Sequence, residues 1–144
     1  MSDEDTTGLP PLTPGARLSL AGLDDEETIY QLSLMVFLTF NRFAEVMPDG
    51  VYVMACKMAS HALLDLQFER GAPVPVEERK ITGNLSRMPE NIRIEFSGMN
   101  DEQCIQHATM STLAALASPG TPEITLGRAA ALYTNTLLEL GFHR

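Results

Sequence analysis

Two long segments in the first half of the chain carry apolar residues at helical spacing. Residues 24–47 have an apolar residue every three or four positions, which predicts a helix. Asp24 and Glu27 stand at its start in capping-box spacing. Residues 51–70 repeat the pattern after a turn at residues 48–50, so a second helix is predicted there. The apolar stripe of the first helix consists of Ile29, Leu32, Val36, Phe40, Phe43 and Met47.

The first predicted helix has apolar side chains on most of its circumference. Beside the stripe, it places large apolar groups on the other side at Tyr30, Leu34, Phe37 and Leu38. A helix of this kind must be buried on most sides. Two arrangements meet this need equally well: a central helix wrapped by other helices of the same chain, or a helix shared with a second subunit.

The segment after the second helix, residues 77–99, supports two interpretations. Residues 92–96 alternate apolar and charged side chains, a pattern typical of a half-buried strand, and residues 79–82 lie within reach as its partner. A partly helical segment is the competing interpretation, because Ile81 and Leu85 have helical spacing. We predict a small β-hairpin inserted between the second and third helices.

The last third of the chain predicts two more helices. The third begins at Asn100 or Asp101 and ends at Ala117, and the fourth covers residues 121–140 with Gly141 as its C-terminal cap. The predicted fold is therefore mainly α, with about four helices in a bundle-like domain. The two long N-terminal helices are expected to form an antiparallel hairpin against which the last two pack.

The length of 144 residues predicts one domain, which we place at residues 24–144. Residues 1–23 form an N-terminal arm, because its prolines and glycines oppose regular structure. The arm is either a flexible tail or a segment whose leucines dock on a neighbouring subunit or partner. On the second reading, the interface residues are Leu12, Leu18 and Leu20 of the arm with Leu34, Phe37 and Leu38 of the first helix.

The charge of the chain bears on its partners and its location. Nineteen acidic and ten basic residues give a net charge of −9, and no Lys/Arg cluster is present, so direct binding to nucleic acid is not expected. The longest apolar run, residues 34–38, is far shorter than the ~18–20 residues of a membrane span. The chain start does not resemble a secretory signal, and two cysteines do not make a disulfide framework. We expect a cytoplasmic protein that does not bind membranes.

Four soft ligands, Cys56, His61, Cys104 and His107, raise the question of a metal site. Cys56 and His61 are five residues apart, so on a helix they point about 140° apart and do not grip one ion. Cys104 and His107 are three apart and face the same way, but the compact cysteine pairs of zinc sites are missing. We expect no metal and no cofactor, with buried cysteines and histidines at the edge of the core.

Two pairs of residues are candidates for catalysis. His61 and Asp65 are one helical turn apart, where a carboxylate can orient an imidazole for general-base work. Cys104 and His107 form a chemically possible nucleophile pair. Neither spacing is diagnostic, and phosphate-binding glycine motifs are missing from the sequence, so no residue is assigned a catalytic role.

These observations favour a protein that works by binding another protein. The expected function is a non-enzymatic protein–protein interaction module, acting as a small acidic homo-oligomer in the role of regulator, inhibitor, assembly factor or chaperone. Two alternatives stay open. One is a small enzyme or ligand-binding domain that uses His61 with Asp65 or Cys104 with His107. The other is a structural subunit of a larger assembly, held by its N-terminal arm.

Overall fold

Helices dominate the part of the chain that the structure describes, which confirms the predicted mainly α class. The computed structural model describes residues 20, 22–43, 46, 50–82, 90–117 and 126–144. The elements in chain order are α1 (Asp25–Phe43), α2 (Val51–Asp65), β1 (Glu69–Arg70), a 3-10 turn (Val76–Glu78), α3 (Glu90–Ser97), α4 (Asp101–Ala117), α5 (Leu126–Glu139) and β2 (Phe142–His143).

The four long helices α1, α2, α4 and α5 pack in a ring. Helix α1 packs against α2 and α5, and α4 packs against the same two helices. The end of α1 meets the start of α2, where the rings of Phe40 and Tyr52 lie edge to face at 5.1 Å. Between α1 and α5, the rings of Phe37 and Tyr133 also lie edge to face, with their centres 5.6 Å apart. The result is a four-helix bundle to which the short α3 is added.

Contacts at one end of the bundle show that neighbouring long helices are antiparallel. The C-terminal Arg144 donates a hydrogen bond to Asp25 at the start of α1 and lies 5.4 Å from the ring centre of Phe68, just beyond α2. Arg70, also beyond α2, donates to Asp101 at the start of α4 over 3.0 Å. The starts of α1 and α4 therefore lie at the same end as the ends of α2 and α5.

Two helix starts carry the reciprocal hydrogen bonds of a capping box. At α1, the Glu27 N–H donates to Asp24 Oδ1 over 2.8 Å, and the Asp24 N–H points back to Glu27 Oε1 at 3.4 Å. At α4, the Gln103 N–H donates to Asn100 Oδ1 over 2.8 Å, and the Asn100 N–H donates to Gln103 Oε1 over 3.0 Å. Each box satisfies two backbone donors that a helix start leaves without partners. The predicted cap at Asp24 is confirmed, and Asn100 is the cap of α4.

Helix α2 ends five residues earlier than the sequence predicts. Gln67 adopts a φ of 75°, a left-handed conformation that stops the helix and turns Phe68 into the core. The two residues after Phe68 form β1, which pairs antiparallel with β2 in the register Glu69 to His143 and Arg70 to Phe142. The small sheet thus joins the end of α2 to the C-terminus.

The predicted hairpin between the second and third helices is wrong where the structure describes it, because residues 92–96 lie within α3. Only Phe96 of this helix is buried, and Ile94 is 63% exposed. Arg70 fixes the end of α3 by donating hydrogen bonds to the carbonyl oxygens of Phe96 and Met99. These tertiary contacts satisfy carbonyl oxygens at the end of the helix. Residues 92–96 are therefore helical although their apolar and charged side chains alternate as in a strand. Residues 83–89 lie outside the described residues.

The connector before α3 is fixed to the start of α1 by the buried side chain of Glu26. Its carboxylate accepts hydrogen bonds from the backbone N–H groups of Lys80, Ile81 and Thr82 over 2.8–2.9 Å. The Thr82 hydroxyl donates a fourth hydrogen bond to the same carboxylate over 3.1 Å. A buried carboxylate needs several donors to replace its lost water, and this turn supplies them.

Residues 1–19 of the predicted arm, together with residue 21, lie outside the described residues. At the end of the arm, Leu20 is buried in the hydrophobic core and Leu23 is half-buried. At the other end of the chain, α5 stops at Glu139, and Gly141 has the positive φ of 90° expected of a C-terminal cap.

Candidate functional site

A groove of about 540 Å³ opens between α2 and α4 and is the candidate binding site of the fold. Its sides come from residues at helical spacing on each helix, so each helix presents one face to it. The loop between α3 and α4 closes one end. The lining residues are Val53, Cys56 and Lys57 of α2, Gly98 and Met99 of the loop, and Gln103, Gln106, His107 and Met110 of α4.

The groove combines apolar side chains with one positive charge. Val53 is 52% exposed and Met110 39% exposed, although both are large apolar residues. Lys57 supplies an ammonium group, and none of the described lining residues is acidic, in a chain with 19 acidic residues. The groove therefore suits a ligand that carries both aliphatic groups and negative charge.

His107 lies at the edge of the groove, where its side chain contacts two residues of α3. Its Nε2 lies 3.3 Å from Glu95 Oε1, and its ring packs edge to face with Phe96 at 5.1 Å. Both neighbours belong to α3. The imidazole is thus held by contacts to the added helix, as expected of a histidine that joins two elements.

Cys104 does not join His107 in the groove, although the two are one turn apart. The Cys104 side chain is fully buried, and its thiol lies 3.5 Å from the carbonyl oxygen of Phe96. Burial raises the pKa of the Cys104 thiol, so the thiolate that acts as a nucleophile is disfavoured. The predicted Cys104–His107 pair is therefore divided between the core and the groove.

The second cysteine, Cys56, lines the groove but is also nearly buried. Its thiol lies 3.5 Å from the carbonyl oxygen of Gln106. Burial raises the pKa of Cys56 to about 11, so the thiol is neutral near pH 7. Cys56 acts as a small packing residue between α2 and α4.

The other catalytic candidates, His61 and Asp65, are half-buried one turn apart on α2, outside the groove. Among the described residues, no three His, Cys, Asp or Glu side chains are grouped so that they could hold a metal ion. In the same residues, no helix is long and apolar enough to cross a membrane.

A second surface of interest lies on α1 and is called here the α1 surface. Gln31, Met35, Leu38 and Arg42 are all exposed and follow one another at intervals of one turn. Leu38 is 55% exposed and Met35 39% exposed near the middle of the helix. Solvent therefore reaches an apolar patch on a helix whose other sides are covered by α2 and α5.

The predicted interface residues fall into three groups. Leu38 is exposed and belongs to the α1 surface, and Leu34 is half-buried one turn before it. Phe37 and Leu20 are buried in the core of the same chain and offer no surface to a partner in this structure. Leu12 and Leu18 lie outside the described residues, and the interface as a whole stays a prediction.

Sequence reasoning did not find the groove, because its two sides are about fifty residues apart in the chain. One signal was present: Lys57 lies away from the apolar face of the second predicted helix. Which residues of α4 face Lys57 follows only from the packing of α2 on α4. Comparisons of the chain with known protein families, curated proteins and solved structures find no significant match.

Proposed function

We propose that this protein is a non-enzymatic protein–protein interaction module that acts as a small acidic homo-oligomer. The observation that carries the proposal is the α1 surface, where Leu38 and Met35 remain exposed in the middle of a long helix. Burying such a patch against another protein surface removes apolar area from water, which favours association. A regulator, inhibitor, assembly factor or chaperone would all use a surface of this kind.

The charges along α1 favour a second copy of the chain as the first partner of this surface. Glu27 in the first turn and Arg42 in the last turn lie about four turns apart, near the same face as Met35 and Leu38. Two α1 helices packed antiparallel about a twofold axis would place each Arg42 near the other copy's acidic first turn. The same patch then serves both subunits, as in an isologous dimer.

The state of the candidate catalytic groups supports a binding role over a catalytic one. Both thiols have raised pKa values because they are buried, and each lies against a backbone carbonyl oxygen, Cys56 against Gln106 and Cys104 against Phe96. His107 is engaged with Glu95 and Phe96 of α3. These groups hold helices together, and the exposed features of the bundle are surfaces for contact.

Replacing Leu38 with Asp tests the proposal. A charge in the middle of the α1 surface disfavours burial of the patch, so we expect Leu38→Asp to convert the oligomer to a monomer. The measurement is the mass in solution by light scattering after size-exclusion chromatography. Circular dichroism checks that the variant keeps its helices, which an exposed position should allow.

Ile94→Asp is the matched control for this experiment. Ile94 is also an exposed aliphatic residue on a helix, but it lies on α3 away from the α1 surface. We expect it to leave the mass unchanged. Equal masses for the folded Leu38→Asp variant and the wild-type protein would contradict the proposed role of the α1 surface.

A further inference from the structure

We propose that the N-terminal arm of the same chain, residues 1–19, occupies the groove between α2 and α4. This site lies within one chain and is separate from the α1 surface, and the groove would be the binding site of the arm. Four features carry the inference: the reach of the arm, the spacing of its leucines, the apolar lining of the groove and the match of charges.

The arm begins at the correct end of the bundle to reach the groove. Leu20 is anchored in the core just before α1, and the start of α1 lies at the same end as the start of α4. Gly98 and Met99, which line the groove, lie next to the start of α4 and therefore at that end. Helix axes in a bundle are about 8–10 Å apart, and residues 1–19 can extend over roughly 60 Å. The distance across the bundle is therefore well within reach.

The aliphatic residues of the arm match the apolar part of the groove. Pro10 and Pro11 favour the polyproline II conformation, which has three residues per turn. Leu9 and Leu12, three residues apart, are therefore expected to face the same side. Such a segment presents two leucines at low conformational cost, and each wall of the groove offers one exposed apolar side chain, Val53 of α2 and Met110 of α4.

The charges of the two partners are also complementary. Asp3, Glu4 and Asp5 precede the two leucines, whereas the groove carries the ammonium group of Lys57. The chain has a net charge of −9, so other acidic residues repel an acidic segment, whereas the described lining of this groove is free of carboxylates. The groove thus offers the acidic start of the chain a half-buried cation beside apolar side chains.

A reporter thiol in the groove of the full-length protein tests the proposal. Val53→Cys places a reactive group at an exposed lining position, and its alkylation by N-ethylmaleimide is followed by peptide mass spectrometry. We compare this protein with one that also carries Leu9→Asp and Leu12→Asp in the arm. If the arm covers the groove about nine-tenths of the time, its release should speed labelling about tenfold.

Two controls separate docking from other effects. Ile94→Cys is exposed outside the groove, and its labelling rate should not respond to the arm substitutions. Lys57→Glu should speed labelling at position 53, and combining it with Asp3→Lys, Glu4→Lys and Asp5→Lys should slow labelling again. Restored slow labelling in the charge-reversed protein reports on the proposed contact, because lysines in the arm would not reverse fast labelling that came from a general loss of structure.

Several results would overturn the proposal. Equal labelling rates at position 53 with the native and the substituted arm mean that the arm does not cover the groove. Labelling that accelerates on dilution of the native-arm protein means that the arm comes from a second copy, which contradicts intrachain docking. The comparison repeated with Leu38→Asp should give the same result, so failure of the α1 surface is distinguished from failure of this inference.

Discussion

Gly141→Ala is expected to lower the free energy of unfolding by roughly 3–5 kcal/mol, a large effect for the addition of one methyl group. Gly141 has a φ of 90°, where a side chain is strained. A Cβ at this position would also clash with the carbonyl oxygen of Gly71. That oxygen belongs to backbone, so the clash is relieved only by moving the junction of the sheet and the C-terminus.

The contact at Gly141 matters because it closes one end of the bundle. The Gly71 N–H donates a 2.7 Å hydrogen bond to the Gly141 carbonyl oxygen, next to the pairing of β1 with β2. The same end holds Arg144 against the start of α1. A shift of Gly141 therefore weakens the contacts among three helices and the C-terminus.

Two other glycines provide matched controls for Gly141→Ala in urea unfolding. Gly98→Ala meets no atom within 4 Å and requires no positive φ, so the expected change is within about 0.5 kcal/mol. Gly22→Ala has open space but a φ of 108°, so it measures backbone strain alone, about 1 kcal/mol. If Gly141→Ala costs no more than Gly22→Ala, the close approach to Gly71 is not important.

Glu139→Ala is expected to cost about 3–5 kcal/mol, because it leaves buried positive charge without its partner. Glu139 and Arg79 have side chains that are 1% and 2% exposed, and their charged groups lie 3.8 Å apart. The other Glu139 oxygen accepts a 2.7 Å hydrogen bond from Arg93 of α3. The carboxylate thus joins the connector, α3 and α5.

Arg79 has further contacts that explain why it stays buried. It donates hydrogen bonds to the carbonyl oxygen of Val74 over 2.6 and 3.0 Å and to Asn135 Oδ1 over 2.5 Å. These bonds hold the guanidinium in place after Glu139 is removed, so its charge is not easily moved to solvent. Glu139→Gln keeps a polar group of the same shape and should cost less than Glu139→Ala.

Glu95→Ala is the matched control for the buried carboxylate. Glu95 also contacts a basic side chain, His107, but the two side chains are 57% and 40% exposed. Exposed pairs of this kind contribute about 0–1 kcal/mol. Similar losses for Glu139→Ala and Glu95→Ala in urea unfolding would show that burial of the Glu139 network adds nothing to stability.

The sequence predicted those parts of the fold whose signals are local. The start of α4 follows from Asn100, because a cap and its hydrogen-bonded partner at Gln103 are only three residues apart. The start of α1 at Asp24 follows for the same reason. The apolar stripe of α1 also gave the correct element type as far as Phe43, and residues 44, 45 and 47 of the predicted helix lie outside the described residues.

The segment that was predicted incorrectly, α3, depends on contacts between residues distant in sequence. The alternation of Ile92, Ile94 and Phe96 is compatible with a strand, and nothing local opposes it. Helix α3 forms where Arg70 can satisfy its terminal carbonyl oxygens and Phe96 can enter the core. Arg70 lies more than twenty residues earlier, so its role appears only when the chain is folded.

The candidate site was predicted only in part, for a similar reason. The apolar circumference of α1 left open a buried central helix or a shared one, and the ring of helices covers Phe37 with Tyr133 while Leu38 stays exposed. Cys104 and His107 share a helix face by spacing, but core packing takes the thiol and leaves the imidazole at the groove. Periodicity states which residues are neighbours on a helix, and packing decides what they face.

The mass of the full-length wild-type protein in solution is the most direct test of the proposed function. Light scattering across a concentration series measures it without a variant or a known partner. Self-association through the α1 surface predicts a mass of twice the 15.8 kDa chain at the higher concentrations. A mass of 15.8 kDa at every concentration would contradict it.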